Sequence, residues 1–373
     1  MTFRFGIEHE VAFINQAGQF ADFTNTSFDA FAQIVAELPI YDSDYPQLRI
    51  GDAGIKHKRW YIEGFERFGE GEVSLGCTPK GIEIRTTIHP TITGAVDELV
   101  DSFNNLRTVA ERFGYKPIAL SFNPIQTEFQ PNPPLSDYEC SLETEAPALV
   151  TDNISQLTYG PDLNISRDGL SKAARLDLGR KLTAYSPFIV PFSFSAPFYA
   201  GQLWDGLSVR NYLRHDVRPA VLVFVEDEAE MLESKPSLTS LARLEAEIGR
   251  IEFKACDSCR DFSLYGSLLA LLKGLILDQT LPDRASVPDV ALHQHSAKHG
   301  FESPTIRETA TTILAAAEQA LANDPDRALL SQLGAILKKP ECSEVYHLRE
   351  HVKSSDCSVV EALTTLQFRE MRR

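Results

Sequence analysis

The chain has 373 residues, of which 43% are hydrophobic and 24% are charged, as in an ordinary globular protein. Its formal net charge of −16 argues against a nucleic acid or an anionic membrane as partner. No apolar run reaches the length of a membrane span, and Glu8 and Glu10 lie where a signal peptide would need apolar residues. We therefore expect a cytoplasmic location and reduced cysteines.

Hydrophobic periodicity predicts an α+β fold in which an antiparallel sheet with helices is followed by a helical C-terminal part. The predicted elements are strands at 3–14 and 81–88, a helix at 93–113, a strand at 116–122, a proline-rich loop at 124–150, a strand at 160–166, a helix at 169–184, strands at 221–225 and 250–255, a helix at 263–278, and helices near 305–322, 326–338, 343–353 and 357–370. A loop of this length is often a functional lid over a site, and a simple connection between elements is an equally good interpretation.

The first predicted strand places two carboxylates side by side. Successive side chains of a strand face opposite sides, so the apolar residues and His9 face one side, whereas Arg4, Glu8 and Glu10 face the other. Carboxylates about 6.6–6.8 Å apart along a strand repel each other unless a cation lies between them. An exposed edge strand would tolerate such a pair, so the pattern becomes informative only because it recurs.

Three later strands repeat this alternation. Their polar positions are Glu83 and Arg85, then Asp162, Asn164 and Ser166, and finally Arg250, Glu252 and Lys254. If the four strands share a sheet, one face combines five acids with three bases, namely Glu8, Glu10, Glu83, Asp162 and Glu252 with Arg85, Arg250 and Lys254. The alternative is four amphipathic strands, each with a solvated face. The acid-and-base composition of all four faces favours one shared site.

An excess of carboxylates suits Mg²⁺ or Mn²⁺, which prefer oxygen ligands. Magnesium usually takes one or two carboxylates together with waters and substrate phosphates. With guanidinium groups nearby, the pattern predicts a nucleoside triphosphate site for phosphoryl transfer. The sequence has neither of the common glycine-rich phosphate-binding motifs, so metals and side chains would hold the phosphates.

These motifs resemble those of the glutamate–cysteine ligase family, type 2, the carboxylate–amine ligase branch. The similar segments are Gly6-Ile-Glu-His-Glu10, Gly81-Ile-Glu-Ile-Arg85, Gly160-Pro-Asp-Leu-Asn-Ile-Ser166, Ser195-Ala-Pro-Phe198 with Ser208-Val-Arg210, and Arg250-Ile-Glu-Phe-Lys-Ala-Cys-Asp257. The resemblance implies a glutamine synthetase/guanido kinase-like catalytic domain over 1–300 and a helical C-terminal extension over 301–373 packed on it. It also implies ATP-dependent amide formation between the side-chain carboxylate of glutamate, activated as an acyl phosphate, and an amine, with cysteine as one candidate.

The resemblance further implies roles for individual residues, with ATP and Mg²⁺ or Mn²⁺ as cofactors. The metal ligands would be Glu8, Glu10, Glu83, Asp162 and Glu252. The catalytic cations would be Arg250 and Lys254, which stabilise the phosphoryl group, and Arg85, which holds a substrate carboxylate or phosphate. Substrate or ATP would be bound by Arg210, Ser208 and Asn164. The chain differs from the family pattern at two positions, since Asp162 replaces a histidine and Lys254 replaces an arginine.

The expected partners are small-molecule substrates, an amino acid and an amine. The oligomeric state stays open, with a homo-oligomer as one alternative. A second interpretation, motivated by Asp162 and Lys254, is a non-catalytic or substrate-diverged relative that binds nucleotide and metal. A third is a carboxylate-pair hydrolase such as a glycosidase, and the basic residues beside the acids argue against it.

Overall fold

The computed structural model describes residues 2–41, 59–71, 73–145, 153–355 and 357–365. The strands are β1 (Phe3–Ile14), β2 (Phe20–Ala21), β3 (Trp60–Gly69), β4 (Val73–Arg85), β5 (Lys116–Ile118), β6 (Pro161–Arg167), β7 (Phe198–Tyr199), β8 (Gln202–Leu203), β9 (Val221–Val225), β10 (Thr239–Leu241) and β11 (Ile251–Phe253). The helices are α1 (Phe28–Ala36), α2 (Ile92–Arg112), α3 (Asp137–Glu145), α4 (Lys172–Ile189), α5 (Val209–Leu213), α6 (Ser263–Leu277), α7 (Val290–His299), α8 (Pro304–Ala320), α9 (Ser331–Lys338), α10 (Glu344–Ser355) and α11 (Val359–Thr365).

The main sheet has the strand order β10-β9-β11-β6-β1-β4-β3, and β2 and β5 also pair with β1. The four strands with the acidic pattern, β11, β6, β1 and β4, are therefore consecutive neighbours, as predicted. All four pair antiparallel. This arrangement brings their polar side chains to one face of one sheet.

The sheet as a whole is mixed, so the prediction of an antiparallel sheet is wrong at one edge. β10 runs parallel to β9. A parallel neighbour requires a crossover connection of about a dozen residues or more. Residues 226–238 provide that connection, and they include a short 3₁₀ turn, Glu228–Glu230.

The apolar face of the sheet is buried under helices. Alternate residues of β1 are buried as the periodicity predicts, and they share one hydrophobic core with residues of α2, α4 and α6. His9 lies on this face and is fully buried, with its Nδ1 3.2 Å from the hydroxyl of Tyr265 in α6. Since the apolar side chains are committed to this core, the polar ones must face the opposite side.

The C-terminal part is helical, as predicted. Ile306 and Ile313 of α8 and Leu333 of α9 belong to the same core as the sheet. The domain boundary at residue 300 stays a prediction. Residues 366–370 of the last predicted helix and 146–150 of the predicted loop lie outside the described residues.

Several elements differ from the prediction in type or length. The predicted loop at 124–150 contains α3, a nine-residue helix whose sequence lacks a clear apolar stripe. The strand predicted at 116–122 ends at Ile118. β3 was not predicted, and it pairs with β4 along its whole length.

Among the described residues, no helix is long and apolar enough to span a membrane.

The motif glycine Gly81 lies where β4 passes close to β1. A Cβ atom there would be 2.3 Å from the carbonyl oxygen of Val11. Gly81→Ala is therefore expected to lower the free energy of unfolding by about 1–3 kcal/mol, because backbone atoms of a central strand have to move. Urea denaturation followed by circular dichroism measures the change.

Gly334→Ala is the matched control, because the nearest atom to a Cβ in this position of α9 is Leu314 Cδ2, at 4.0 Å. It should be neutral or stabilising by up to about 1 kcal/mol, since alanine favours a helix interior. Equal effects of the two substitutions would contradict the close approach of β1 and β4 at Gly81.

Candidate active site

The polar face of the sheet lies along a cavity of about 530 Å³. Seven acidic and six basic side chains line it, namely Glu8, Glu10, Glu63, Glu83, Asp162, Glu247 and Glu252 with Arg4, Arg85, Arg218, Arg243, Arg250 and Lys254. Every acid and base that the sequence predicted for the shared face is among them. The additional arginines make the formal charges nearly balanced, whereas the sequence predicted a clear excess of acids.

Three carboxylates that line this cavity lie close together and form the Glu8 cluster: Glu8, Asp162 and Glu252. Glu8 lies opposite Asp162 across the β1–β6 pair. Glu252 lies opposite Asn164 across the β11–β6 pair. One carboxylate oxygen from each acid lies within 4.8 Å of the other two, a spacing compatible with a shared metal ion.

Two cations bridge the Glu8 cluster. The ammonium of Lys254 donates hydrogen bonds to Asp162 Oδ2 and Glu252 Oε1. Arg250 Nη1 lies 3.2 Å from Glu8 Oε1, and its Nη2 lies 3.2 Å from Glu252 Oε2. Three of the five predicted metal ligands and two of the three predicted catalytic cations are thus brought together.

Burial and these cations set the ionisation of the cluster. Burial disfavours the ionised carboxylate of Glu8, but Arg250 and Arg85 outweigh it and lower its pKa to about 2. For Glu252, burial is the largest effect and raises the pKa even though Lys254 opposes it. Burial also disfavours the ammonium of Lys254, yet Asp162 and Glu252 raise its pKa. Lys254 is therefore a permanent positive charge in the site.

Asn164 completes the set of oxygen donors. Its Nδ2 lies 3.3 Å from Glu8 Oε1, and its buried Oδ1 has no hydrogen-bond partner among the described residues. Three carboxylates and an unpartnered amide oxygen are the hard ligands that Mg²⁺ and Mn²⁺ prefer. The residues present therefore fit a divalent ion.

A second acidic group, Glu10, Glu63 and Glu83, lies on the β3 side of the cavity. Glu10 accepts hydrogen bonds from Lys80 Nζ at 2.7 Å and from the Gly160 N–H at 2.8 Å. Both of its carboxylate oxygens are therefore engaged by protein donors. Its role as a metal ligand stays a prediction, and a metal ion would have to displace these two donors from Glu10.

Glu83 is the member of the second acidic group that also interacts with Glu8. Burial raises its pKa well above the usual range, the neighbouring Arg85 opposes the shift, and Glu63 and Glu8 add to it. Arg85 Nε donates to Glu83 Oε2 at 2.8 Å. The guanidinium carbon of Arg85 lies 4.5 Å from the ring centre of Tyr61, which fixes its orientation in the cavity.

Lys80 is one of the residues that sequence reasoning missed at this site. It is 2% exposed, and besides Glu10 its ammonium donates to the carbonyl oxygens of Ser155 and Thr158, both at 2.7 Å. It thereby fixes the segment before β6 against β4. Its position directly before the Gly81 motif could have indicated a place near the site. Its partners are distant in the sequence, so the neighbouring residues do not reveal them.

Arg210 and Ser208 lie outside the cavity lining. The guanidinium of Arg210 donates to the carbonyl oxygens of Lys254, Ala255 and Cys256 at 2.8–3.0 Å. Ser208 caps α5 through its Oγ. A Cβ at Gly160 would be 2.3 Å from Arg210 Nη2, so the two motif positions pack against each other. The substrate-binding role of Arg210 and Ser208 stays a prediction, whereas Asn164 does lie in the cavity.

Comparison with known proteins identifies a class of fold. No protein-family model matches the chain, and a search of curated proteins found no match. Solved structures of ligases do match it over almost its full length. The fold is therefore one that this chain shares with several ligases.

One such structure is glutamate–cysteine ligase from Francisella tularensis in complex with AMP, with a TM-score of 0.58, 9% identity and coverage of 100% of this chain and 90% of that chain. A bifunctional glutathione synthetase from Pasteurella multocida has a TM-score of 0.54 and 11% identity over 98% of this chain, which spans only 51% of that protein. The complex of the prokaryotic ubiquitin-like protein Pup with its ligase PafA has a TM-score of 0.50 and 13% identity, and the match covers 97% of this chain and 72% of that chain. At the level of the fold, these likenesses confirm the predicted resemblance to glutamate–cysteine ligases.

Lys80→Met is expected to lower the free energy of unfolding by about 3 kcal/mol, because it leaves a carboxylate and two buried carbonyl oxygens without their donor. Urea denaturation measures the change. Adding Glu10→Gln to Lys80→Met should recover part of the loss, since it removes the uncompensated charge.

Lys172→Met is the matched control, because Lys172 pairs with Glu230 at the protein surface. It should leave the unfolding midpoint unchanged. A Lys80→Met protein as stable as the wild type would contradict the buried position of Lys80.

Proposed function

We propose that this protein is an ATP-dependent carboxylate–amine ligase. The proposed acyl donor is glutamate, through its side-chain carboxylate, and cysteine is the first candidate among the amine acceptors. The observation that supports this proposal most is the Glu8 cluster, surrounded by Arg85, Arg250 and Lys254, on the sheet of a fold shared with a glutamate–cysteine ligase.

The reaction has two balanced steps. An oxygen of the donor carboxylate attacks the γ-phosphorus of ATP, the bond to the bridging oxygen breaks, and ADP leaves. The amine nitrogen then attacks the acyl carbon, phosphate leaves with the former carboxylate oxygen, and the amine loses a proton. Both steps bring anionic groups together, so fixed cations that stabilise the transition state lower the barrier.

The chain supplies these cations in defined positions. Arg250 is held between the Glu8 and Glu252 carboxylates, and its guanidinium carbon lies 4.0 Å from the ring centre of Phe224. Arg85 is fixed by Glu83. A divalent ion held by the Glu8 cluster would neutralise charge on the phosphate oxygens. Because these groups are already oriented, little reorganisation is needed when substrates bind.

A second candidate function is a relative that binds nucleotide and metal without turnover, or one that uses other substrates. The contacts of Lys254 with Asp162 and Glu252 favour it, since they engage carboxylates that a metal ion needs. The matched structure of PafA with Pup adds a protein to the range of partners worth testing. Amine panels for this protein should therefore include peptides with free amino groups.

ADP release from ATP, Mg²⁺ and glutamate is expected to be stimulated by at least one amine in a panel of amino acids, small amines and peptides. Glu8→Gln and Glu252→Gln should each lower the stimulated rate by about 100-fold or more, because each removes a carboxylate that positions Arg250 and would hold the divalent ion. Glu302→Gln, at an exposed residue that accepts from Tyr346, is the control and should keep the wild-type rate. A panel in which no amine stimulates release would contradict the ligase.

Isotope transfer tests the acyl phosphate directly. With ¹⁸O in the side-chain carboxylate of glutamate, one labelled oxygen should appear in the released phosphate, as mass spectrometry of the phosphate can show. Unlabelled phosphate accompanied by amide product would rule out carboxylate phosphorylation. Phosphate release without an amide would contradict the ligase.

A further inference from the structure

We propose that Lys254 is a built-in counter-cation of the Glu8 cluster, which occupies the divalent-ion position in the nucleotide-free protein and couples metal binding to nucleotide binding. The inference rests on the proposed function, because it takes the Glu8 cluster as the metal site of a nucleotide-using enzyme. It goes further by giving the site an order of events. Metal alone binds weakly, and metal binds tightly together with the nucleotide.

The competition follows from shared ligand atoms. The ammonium of Lys254 donates to Asp162 and Glu252, two of the three acids whose oxygens lie within 4.8 Å of one another. Mg²⁺ needs its ligand oxygens at about 2.0–2.1 Å in a nearly octahedral arrangement. An ammonium hydrogen-bonded to the same two oxygens would lie in direct repulsion with such an ion. The two cations therefore exclude each other.

The cluster offers more oxygen donors than Lys254 uses. Asn164 is 6% exposed, and its Oδ1 has no hydrogen-bond partner among the described residues, while its Nδ2 faces Glu8 at 3.3 Å. A buried amide oxygen without a donor is costly in a site filled only by lysine. This oxygen is an independent sign that the site is built for a second, coordinating cation.

Lys254 can leave the cluster while two of the three carboxylates keep a cation, and the incoming metal ion would replace it at Asp162. Arg250 stays bonded to both Glu8 and Glu252. The lysine ammonium is a point charge on a flexible four-carbon stem, whereas a guanidinium has a fixed fork. When metal and nucleotide enter together, the displaced ammonium finds phosphate oxygens in the same cavity. Without the nucleotide it has no such partner, so displacement is unfavourable.

Mn²⁺ binding, followed by the electron paramagnetic resonance signal of the free ion, tests this order. In the absence of nucleotide, Lys254→Met should bind Mn²⁺ about tenfold more tightly than the wild type, within the usual range of coupling between sites. Lys254→Arg should keep the weak affinity, because the positive charge remains. Lys298→Met, which removes a lysine paired with Asp205 outside the cavity, is the control and should match the wild type.

Two further comparisons locate the effect. A non-hydrolysable ATP analogue should raise the Mn²⁺ affinity of the wild type more than that of Lys254→Met. The gain of Lys254→Met should disappear in the double variant with Asp162→Asn. Equal or weaker Mn²⁺ binding by folded Lys254→Met would overturn the proposal, and thermal melting shows whether the variant is folded.

A measurement on the wild type does not depend on any variant. Mass spectrometry after brief acetylation should show that Mg²⁺, at a concentration high enough to fill its weak site, increases the modification of Lys254, while buried Lys80 stays protected. Unchanged modification of Lys254 would overturn the proposal. Tighter Mn²⁺ binding by Lys254→Met, combined with no amine-stimulated ADP release by the wild type, would keep this inference and reject the ligase. A protein that binds no Mn²⁺ in any form would lose the metal site and the inference together.

Discussion

The pairing of buried carboxylates with resident cations is the constraint on which the site depends. Four adjacent strands place acids on one face of a sheet whose other face is committed to the core. A buried charge that loses its partner costs several kcal/mol, so each acid needs a cation within reach. Arg250, Lys254 and Lys80 meet this need from three different positions. The charges of the polar face are therefore compensated before any substrate binds.

The same pairing divides the cavity into two parts with different chemistry. The carboxylates around Glu8 are bridged by the long side chains of the two residues that flank β11, Arg250 before it and Lys254 after it. Glu10 is held by a buried lysine and a backbone amide. The first arrangement can open for an incoming ion, whereas the second is part of the framework. Strand-borne residues also give a more exact geometry than loop residues, which suits transfer of a phosphoryl group between aligned substrates.

The sequence was sufficient to predict the acidic face and its four strands, because alternation with period two is a local property of each strand. It was not sufficient for partners that depend on distant segments. Lys80, Arg218 and Arg243 reach the site only through the folded arrangement of their elements. Arg210 matched a family motif, yet in the structure it packs against Gly160 instead of lining the cavity. The parallel edge at β10 likewise depends on the path of a connection rather than on the pattern of the strand.

The position of β11 has a consequence for how the chain is made. This strand lies between β6 and β9, although both are synthesised before it. A nascent chain that ends before Ile251 therefore has two open strand edges, each with unpaired backbone groups, and lacks Glu252 and Lys254. Such edges are prone to mispairing. Completion of the sheet and completion of the site thus coincide late in synthesis, and they depend on a strand of three residues.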